Sequence, residues 1–259
     1  MTTSALTMPM QSDAPAPLVR ARIEGAERQY IEWDMEAGEQ IWLDHGAFVA
    51  ACGRFSLSAR TAVAPSTSWW SVAFAPLRWL YYTLSKKASG ERLWSELVTA
   101  VAPTQLVTGN PNGGQIERVF LEGDDDVLSL RRGAWIGHAG EVTLSASLAG
   151  VAVPMLFVAA PLLWQTARGV GDVYFGAHGR LRSFKVTPDE PLYVDPKALV
   201  GWRGRMQWRV QVVRDVRGAL FAGEGFALLE GTGAGDVWID TTDPPPRRLP
   251  ASSPKPNLS

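Results

Sequence analysis

The sequence predicts an all-β protein, a barrel or β-helix of three related units with one short helical insertion. Three observations carry that expectation. Residues 39–57, 126–144 and 190–208 align with one another without a gap, so one supersecondary unit is used several times. Along residues 205–212, Met206, Trp208, Val210 and Val212 fall on one face and Arg205, Gln207, Arg209 and Gln211 on the other. That alternation is the mark of a half-buried strand. Gly-rich bends at 169–171 and 231–235 lead into Asp-Val-Tyr-Phe and Asp-Val-Trp-Ile, which are strand-like, and glycine supplies the positive φ that tight bends between strands require.

In chain order, residues 1–17 (MTTSALTMPMQSDAPAP) read as a flexible lead, without the basic and apolar regions of a secretory signal. An acid then opens each copy: Glu39, Asp126, Glu190. Apolar pairs follow at Ile41/Leu43, Leu128/Leu130 and Leu192/Val194, and a polar bend leads to Ala47, Ala134 and Ala198. Past each alanine stands a glycine: Gly53, Gly140, Gly204. The displacement from Ala134 to Ala198 equals that from Gly169 to Gly233, so copies two and three share a longer register. The first interval holds about 23 extra residues, which matches an aromatic, mostly helical excursion at about 66–87. Copies this small cannot each bury a core alone, so residues 18–242 are expected to form a single domain. Residues 243–259 read as a Pro-rich disordered tail.

Gly38-Glu39 with Leu43-Asp44-His45-Gly46-Ala47-Phe48-Val49, the segment Gly90-Glu91-Arg92-Leu93-Trp94, and Gly223-Glu224-Gly225-Phe226 leading into Gly233-Ala234-Gly235-Asp236-Val237-Trp238 together resemble the altered inheritance of mitochondria 24 family. That family occurs in bacteria and in fungal mitochondria. The resemblance spans roughly Leu18 to Thr242. It implies a double-stranded β-helix similar to the trp RNA-binding attenuation protein, repeated within one chain, and a trimer of such chains. His45 departs from the family's usual proline, and the resemblance carries no catalytic residues.

The residues themselves offer several candidate sites. Glu39, Asp126 and Glu190 share one repeat position, and around a threefold axis they would offer oxygen ligands to a hard cation. The simpler expectation is a set of turn acids hydrogen-bonded locally, with Asp124, Asp125 and Asp126 at a hairpin tip. His45, His138 and His178 form no His-x3-His pair and no HExxH sequence, so structural or surface roles are expected. The single Cys52 excludes an intramolecular disulfide and a Cys-cluster zinc site, and reads as a small apolar residue.

No helix follows the glycine bends, so they do not form a dinucleotide cradle. Trp202, Arg203, Arg205, Trp208 and Arg209 invite a nucleic-acid reading. Against it, the net charge is −1 and Trp208 lies on the apolar strand face, so no nucleic-acid partner is expected. No metal or other cofactor is expected either.

The apolar segments bear most on function. From Val142 to Ala167 there is no charged residue, and 148–164 approaches the roughly 20 residues of a spanning helix. Pro154, Pro161 and the direct run into Leu162-Leu163-Trp164 favour a buried strand and loop, or a subunit interface. Residues 69–84 (WWSVAFAPLRWLYYTL) end in Ser85-Lys86-Lys87. They suit an interfacial helix or a helix capping the barrel end and protecting strand edges.

The expectation is a non-enzymatic scaffold or interaction protein, cytoplasmic and homo-oligomeric, with a trimer favoured. Its partners would be a protein or, by peripheral attachment, the inner membrane surface. Contact residues would be Trp69, Trp70, Phe74, Trp79, Tyr81, Met155, Leu156 and Phe157. The alternative is a ligand-binding or enzymatic β-barrel that takes a small molecule or metal, which would need clustered histidines and carboxylates on inward strand positions.

Overall fold

The computed structural model describes residues 15–60, 95–147, 164–212 and 227–242, and every regular element among them is a β-strand. The insertion expected at about 66–87 lies outside the described residues. An opening hairpin, β1 (Arg20–Glu24) and β2 (Tyr30–Met35), precedes β3 (Gln40–Asp44), β4 (Phe48–Cys52), β5 (Phe55–Arg60), β6 (Ser95–Ala100) and β7 (Thr104–Gly109). Three longer strands follow: β8 (Ile116–Arg131), β9 (Trp135–Ser147) and β10 (Trp164–Gly176). The last group is β11 (Leu181–Val186), β12 (Leu192–Val194), β13 (Leu199–Val212) and β14 (Ala227–Asp240). They make two open sheets. One runs β1-β2-β7-β4, and the ten-stranded one runs β11-β14-β13-β8-β10-β9-β3-β6-β5 with β12 on β14.

The aligned residues adopt matching local geometry. Ala47, Ala134 and Ala198 each donate an amide hydrogen bond three residues back, to Asp44, Arg131 and Asp195, at 3.0, 3.1 and 2.9 Å. Their own carbonyls accept from Gly109, Gly176 and Asp240 at 2.8, 2.7 and 2.8 Å. A tight turn therefore precedes, and a fixed anchor locks, the strand that starts after each alanine. Gly53, Gly140 and Gly204 have φ of 134, 96 and 98°, a region side chains avoid. A Cβ there would lie 2.8, 2.7 and 2.7 Å from the carbonyl oxygens of Pro103, Val170 and Ala234. Glycine lets the strand bend hard across its partner at that point.

Alternation then distributes side chains over three cores. Ile31, Trp33, Ile41, Leu43, Val98 and Leu106 fill the first. Leu121, Leu128, Leu130, Trp135, Val173 and Phe175 fill the second. Trp164, Trp202, Trp208, Leu229 and Val237 fill the third, where Trp202 lies 4.5 Å from Trp164 and 5.4 Å from Trp208. Each such side chain, fully buried, contributes about 1.5–3 kcal/mol. Along β13, Trp208 is buried and Met206 and Val210 half-buried, while Arg205, Gln207, Arg209 and Gln211 are exposed, as the alternation predicts.

Two local expectations are corrected. Asp124, Asp125 and Asp126 are not a hairpin tip. They lie inside β8, where its pairing with β10 jumps from Gly123↔Gly169 to Leu128↔Ala167. Several residues of β8 thus oppose one of β10, and the acids bulge out of the ladder. The glycines at 169, 171, 233 and 235 likewise sit within β10 and β14 rather than between strands, where neighbouring backbone comes too close for a Cβ.

Candidate interaction site

Buried polar groups are where chemistry would have to reside, and the two fully buried carboxylates among the described residues, Asp172 and Asp240, are spent internally. Asp172 has no exposed surface and accepts from Arg118 Nε at 2.7 Å and from the Leu18 amide at 2.7 Å. Arg118 Nη2 also donates to the Pro15 carbonyl at 2.6 Å. This clamp holds the end of the N-terminal lead on β10. The carboxylate of Asp240, also fully buried, accepts from the amides of His178, Gly179 and Thr242 at 2.9, 3.2 and 3.1 Å and from Arg131 at 3.1 Å. Burial pushes its carboxyl up, but the His178 and Thr242 amides and Arg131 outweigh that and hold it below the ordinary range.

Two of the repeated acids accept local backbone hydrogen bonds. Glu39 accepts from the Glu36 amide at 2.7 Å, and Asp126 from the Glu122 amide at 3.0 Å. Asp126 also takes both Nε and Nη2 of Arg203, at 2.7 and 2.6 Å, a bidentate pairing of the strong kind. Among the described residues, no three His, Cys, Asp or Glu side chains converge as metal ligands.

The three histidines are placed apart. His45 Nδ1 lies 2.7 Å from Glu96 on the surface. The Nδ1 of His178 faces Arg131 at 3.1 Å, and its pKa falls below the usual value through burial and that cation, although Asp240 opposes the shift. His138 is buried against Trp42 and Trp135, with ring centroids 6.1 and 5.6 Å away, and burial lowers its pKa to about 3. Among the described residues its Nδ1 has no hydrogen-bond partner, nor does the Nε1 of Trp135.

The eight predicted contact residues all fall in two connecting segments outside the described residues: Trp69, Trp70, Phe74, Trp79 and Tyr81 in 61–94, and Met155, Leu156 and Phe157 in 148–163. The structure does fix where these segments attach. Residues 61–94 join the pair Arg60↔Ser95, and 148–163 join Ser147↔Trp164. A third segment, 213–226, joins Val212↔Ala227. The second and third connect the strand that follows the repeated alanine (β9, β13) to its antiparallel neighbour (β10, β14), while the first leaves from β5, one strand after β4, and enters β6. No helix of the described residues is long and apolar enough to cross a membrane.

Sequence reasoning missed the Asp172–Arg118 and Asp240–Arg131 clusters, since their partners are 54 and 109 residues apart. It also missed that Cys52 is exposed, on the edge strand β4.

Among curated proteins nothing matches this chain. Among solved structures it is similar to the crystal structure of protein SPYM3_0169 from Streptococcus pyogenes, with a TM-score of 0.62 and 17% identity over 87% of this chain and 94% of that one. At that identity the likeness concerns the fold. The family model described as mitochondrial biogenesis AIM24 matches residues 21–242, most of the sequence and all three aligned copies. The chain belongs to the mitochondrial biogenesis AIM24 family.

Proposed function

We propose that the protein is a non-enzymatic, homo-oligomeric scaffold, a trimer by preference, built as a double-stranded β-helix of three units. Its apolar connecting segments would engage a protein partner or a membrane surface. The observation that carries this reading is the common origin of the three segments at 61–94, 148–163 and 213–226, each at the open end of a corresponding hairpin. Three corresponding units would carry them to corresponding places. The first two hold WWSVAFAPLRWLYYTL and LAGVAVPMLFVAAPLL, and the third holds Leu220, Phe221 and Phe226. An apolar run of that kind, free of charge over 148–163, would suit an interaction face. The three cores and the matching alanine turns support the three-unit reading. The spent state of Asp172, Asp240 and Arg131 supports a structural rather than a catalytic use of buried charge.

Liposome flotation of wild type and a Trp69/Trp70→Ser variant tests the membrane arm, and light scattering after size exclusion tests assembly. Partition that the variant loses is the expected result. A strictly monomeric protein that never floats overturns the reading.

The second reading is a small-molecule or metal-binding barrel. It draws on the unpartnered His138 Nδ1 beside Trp135. Metal analysis of untagged protein checks it, and a stoichiometric transition metal would put it first.

A further inference from the structure

Three connecting stretches meet at one point of the molecule. Residues 110–115 link β7 to β8, residues 177–180 link β10 to β11, and residues 241–242 follow β14. Gly114 donates to the Ala177 carbonyl at 3.1 Å, Ala177 to that of Gln115 at 3.0 Å and Gln115 to that of Gly179 at 2.8 Å. Asn110 Nδ2 adds a bond of 2.9 Å to the Ala177 carbonyl. From the other side, Thr241 donates to the Arg180 carbonyl at 2.9 Å. The fit leaves no slack. A Cβ on Gly114 would lie 2.5 Å from the His178 carbonyl oxygen, and one on Gly179 would run into the Thr242 side chain.

The middle stretch carries His178, a side chain that titrates near neutrality. Its Nδ1 lies 3.1 Å from Arg131 Nη2. A guanidinium has donors and no acceptor, so Nδ1 must accept, and the ring is neutral with its proton on Nε2. Arg131 cannot easily turn aside, because it also donates to the Lys197 carbonyl at 3.3 Å and to Asp240 at 3.1 Å. Among the described residues, the charged groups that face the ring are Arg131, at the end of β8, and Asp240, at the end of β14. Residues 110–115 contain no charge. The carboxylate of Asp240 stands 3.7 Å from Nδ1, and it is already occupied by Arg131 and three amides. In contrast to these buried partners, 32% of the His178 side chain is in solvent, so protons reach it.

We infer that His178 is a pH-sensitive latch on this junction, closed while the neutral ring accepts from Arg131 and released when the ring is protonated. A proton on Nδ1 sets an N–H donor against the Arg131 donor, and one cation against another. The ring then leaves Arg131, and residues 177–180 lose their side-chain tether. Arg131 and Asp240 stay paired throughout, so the strand ends hold while the junction loosens. The sign follows from the same contacts. Burial and Arg131 keep the latched ring below the ordinary 6.5, with Asp240 opposing, whereas a released ring titrates near that value. Release is therefore favoured as the pH falls below 6.5, and the effect levels off once the latched ring itself takes a proton. This device stands independently of the scaffold reading.

Hydrogen exchange reads the junction directly, since the amides of Gly114, Gln115, Ala177, His178 and Gly179 all donate across it. Full-length wild type and His178→Gln are compared at about pH 7.5 and about pH 5.5, within the range where histidine titrates, with rates corrected for intrinsic exchange. The glutamine oxygen can accept from Arg131 at either pH. In wild type these amides are expected to lose protection at least about twofold on acidification, as a local opening does, while β2 and β7 keep theirs. In His178→Gln the loss should vanish. An equal loss in both proteins, or a loss spread evenly over β2 and β7, overturns the latch. Ring nitrogen NMR shifts of wild type alone give a second measurement. The His178 ring must carry its proton on Nε2 at neutral pH, and a proton on Nδ1 overturns the contact.

Discussion

His138 is the residue whose surroundings most limit its chemistry. Packed between Trp42 and Trp135, it holds a neutral ring, with its pKa lowered from 6.5 to about 3. In the unfolded chain it takes a proton near pH 6.5, while in the folded chain it resists. The unfolded state therefore binds more protons below 6.5, and stability falls as the pH drops from there toward 3. His138→Phe should flatten that slope, in a series of urea unfolding curves across the window, and an unchanged slope would assign the acid sensitivity elsewhere.

Asp172 makes the converse case. Removing it in Asp172→Ala strips Arg118 of its partner and frees the Leu18 amide, at an expected cost of about 3 kcal/mol. Urea denaturation measures that directly, and proteolysis of the N-terminal lead should quicken in parallel. Neither environment was legible beforehand. A histidine or aspartate in sequence says what it can bond, while its burial is set by strands far away along the chain.

At the scale of elements, the repeated glycine is the clearest case of sequence dictating geometry. Gly204 has φ of 98°, and a Cβ there would press on the Ala234 carbonyl. Gly204→Ala should cost more than the roughly 1 kcal/mol typical of glycine and alanine exchanges, with a matching fall in the urea midpoint. Gly123 is the control position, since a Cβ there would meet nothing within 4 Å and its φ is not positive. A similar loss at both would remove the special role given to the bend. The alternation along β13 and the turns before Ala47, Ala134 and Ala198 were readable because they depend on neighbours in sequence. The acids at 124–126 misled for the same reason. Locally they look like a turn, and only the pairing of β8 with β10 keeps the strand running through them.

For the whole molecule, the sheets define a body to which the apolar segments are attached by their ends. Ser147 and Trp164 are already paired, so replacing 148–163 with Asn-Gly, a turn that favours two-residue hairpins, should leave a folded β-protein. Far-UV circular dichroism should keep its strand signature, and liposome or partner binding should weaken. Loss of the folded spectrum would instead make the segment part of the core. The family and the all-β class were both in reach of the sequence, through motifs spread from Gly38 to Trp238. The eight predicted contact residues lie outside the described residues.

The sequence by itself determined the all-β class, the alternation along β13 and the turns before Ala47, Ala134 and Ala198. These are short-range matters of alternation, backbone sterics and glycine. The tertiary structure alone decided which strands lie side by side, and hence that Asp172, Asp240 and Asp126 are each consumed by an arginine 54, 109 and 77 residues away. It also decided that β3 lies beside β9 and β8 beside β13. Strand pairing is a long-range choice made by backbone hydrogen bonds, which are chemically alike at every residue, so side chains record it only indirectly.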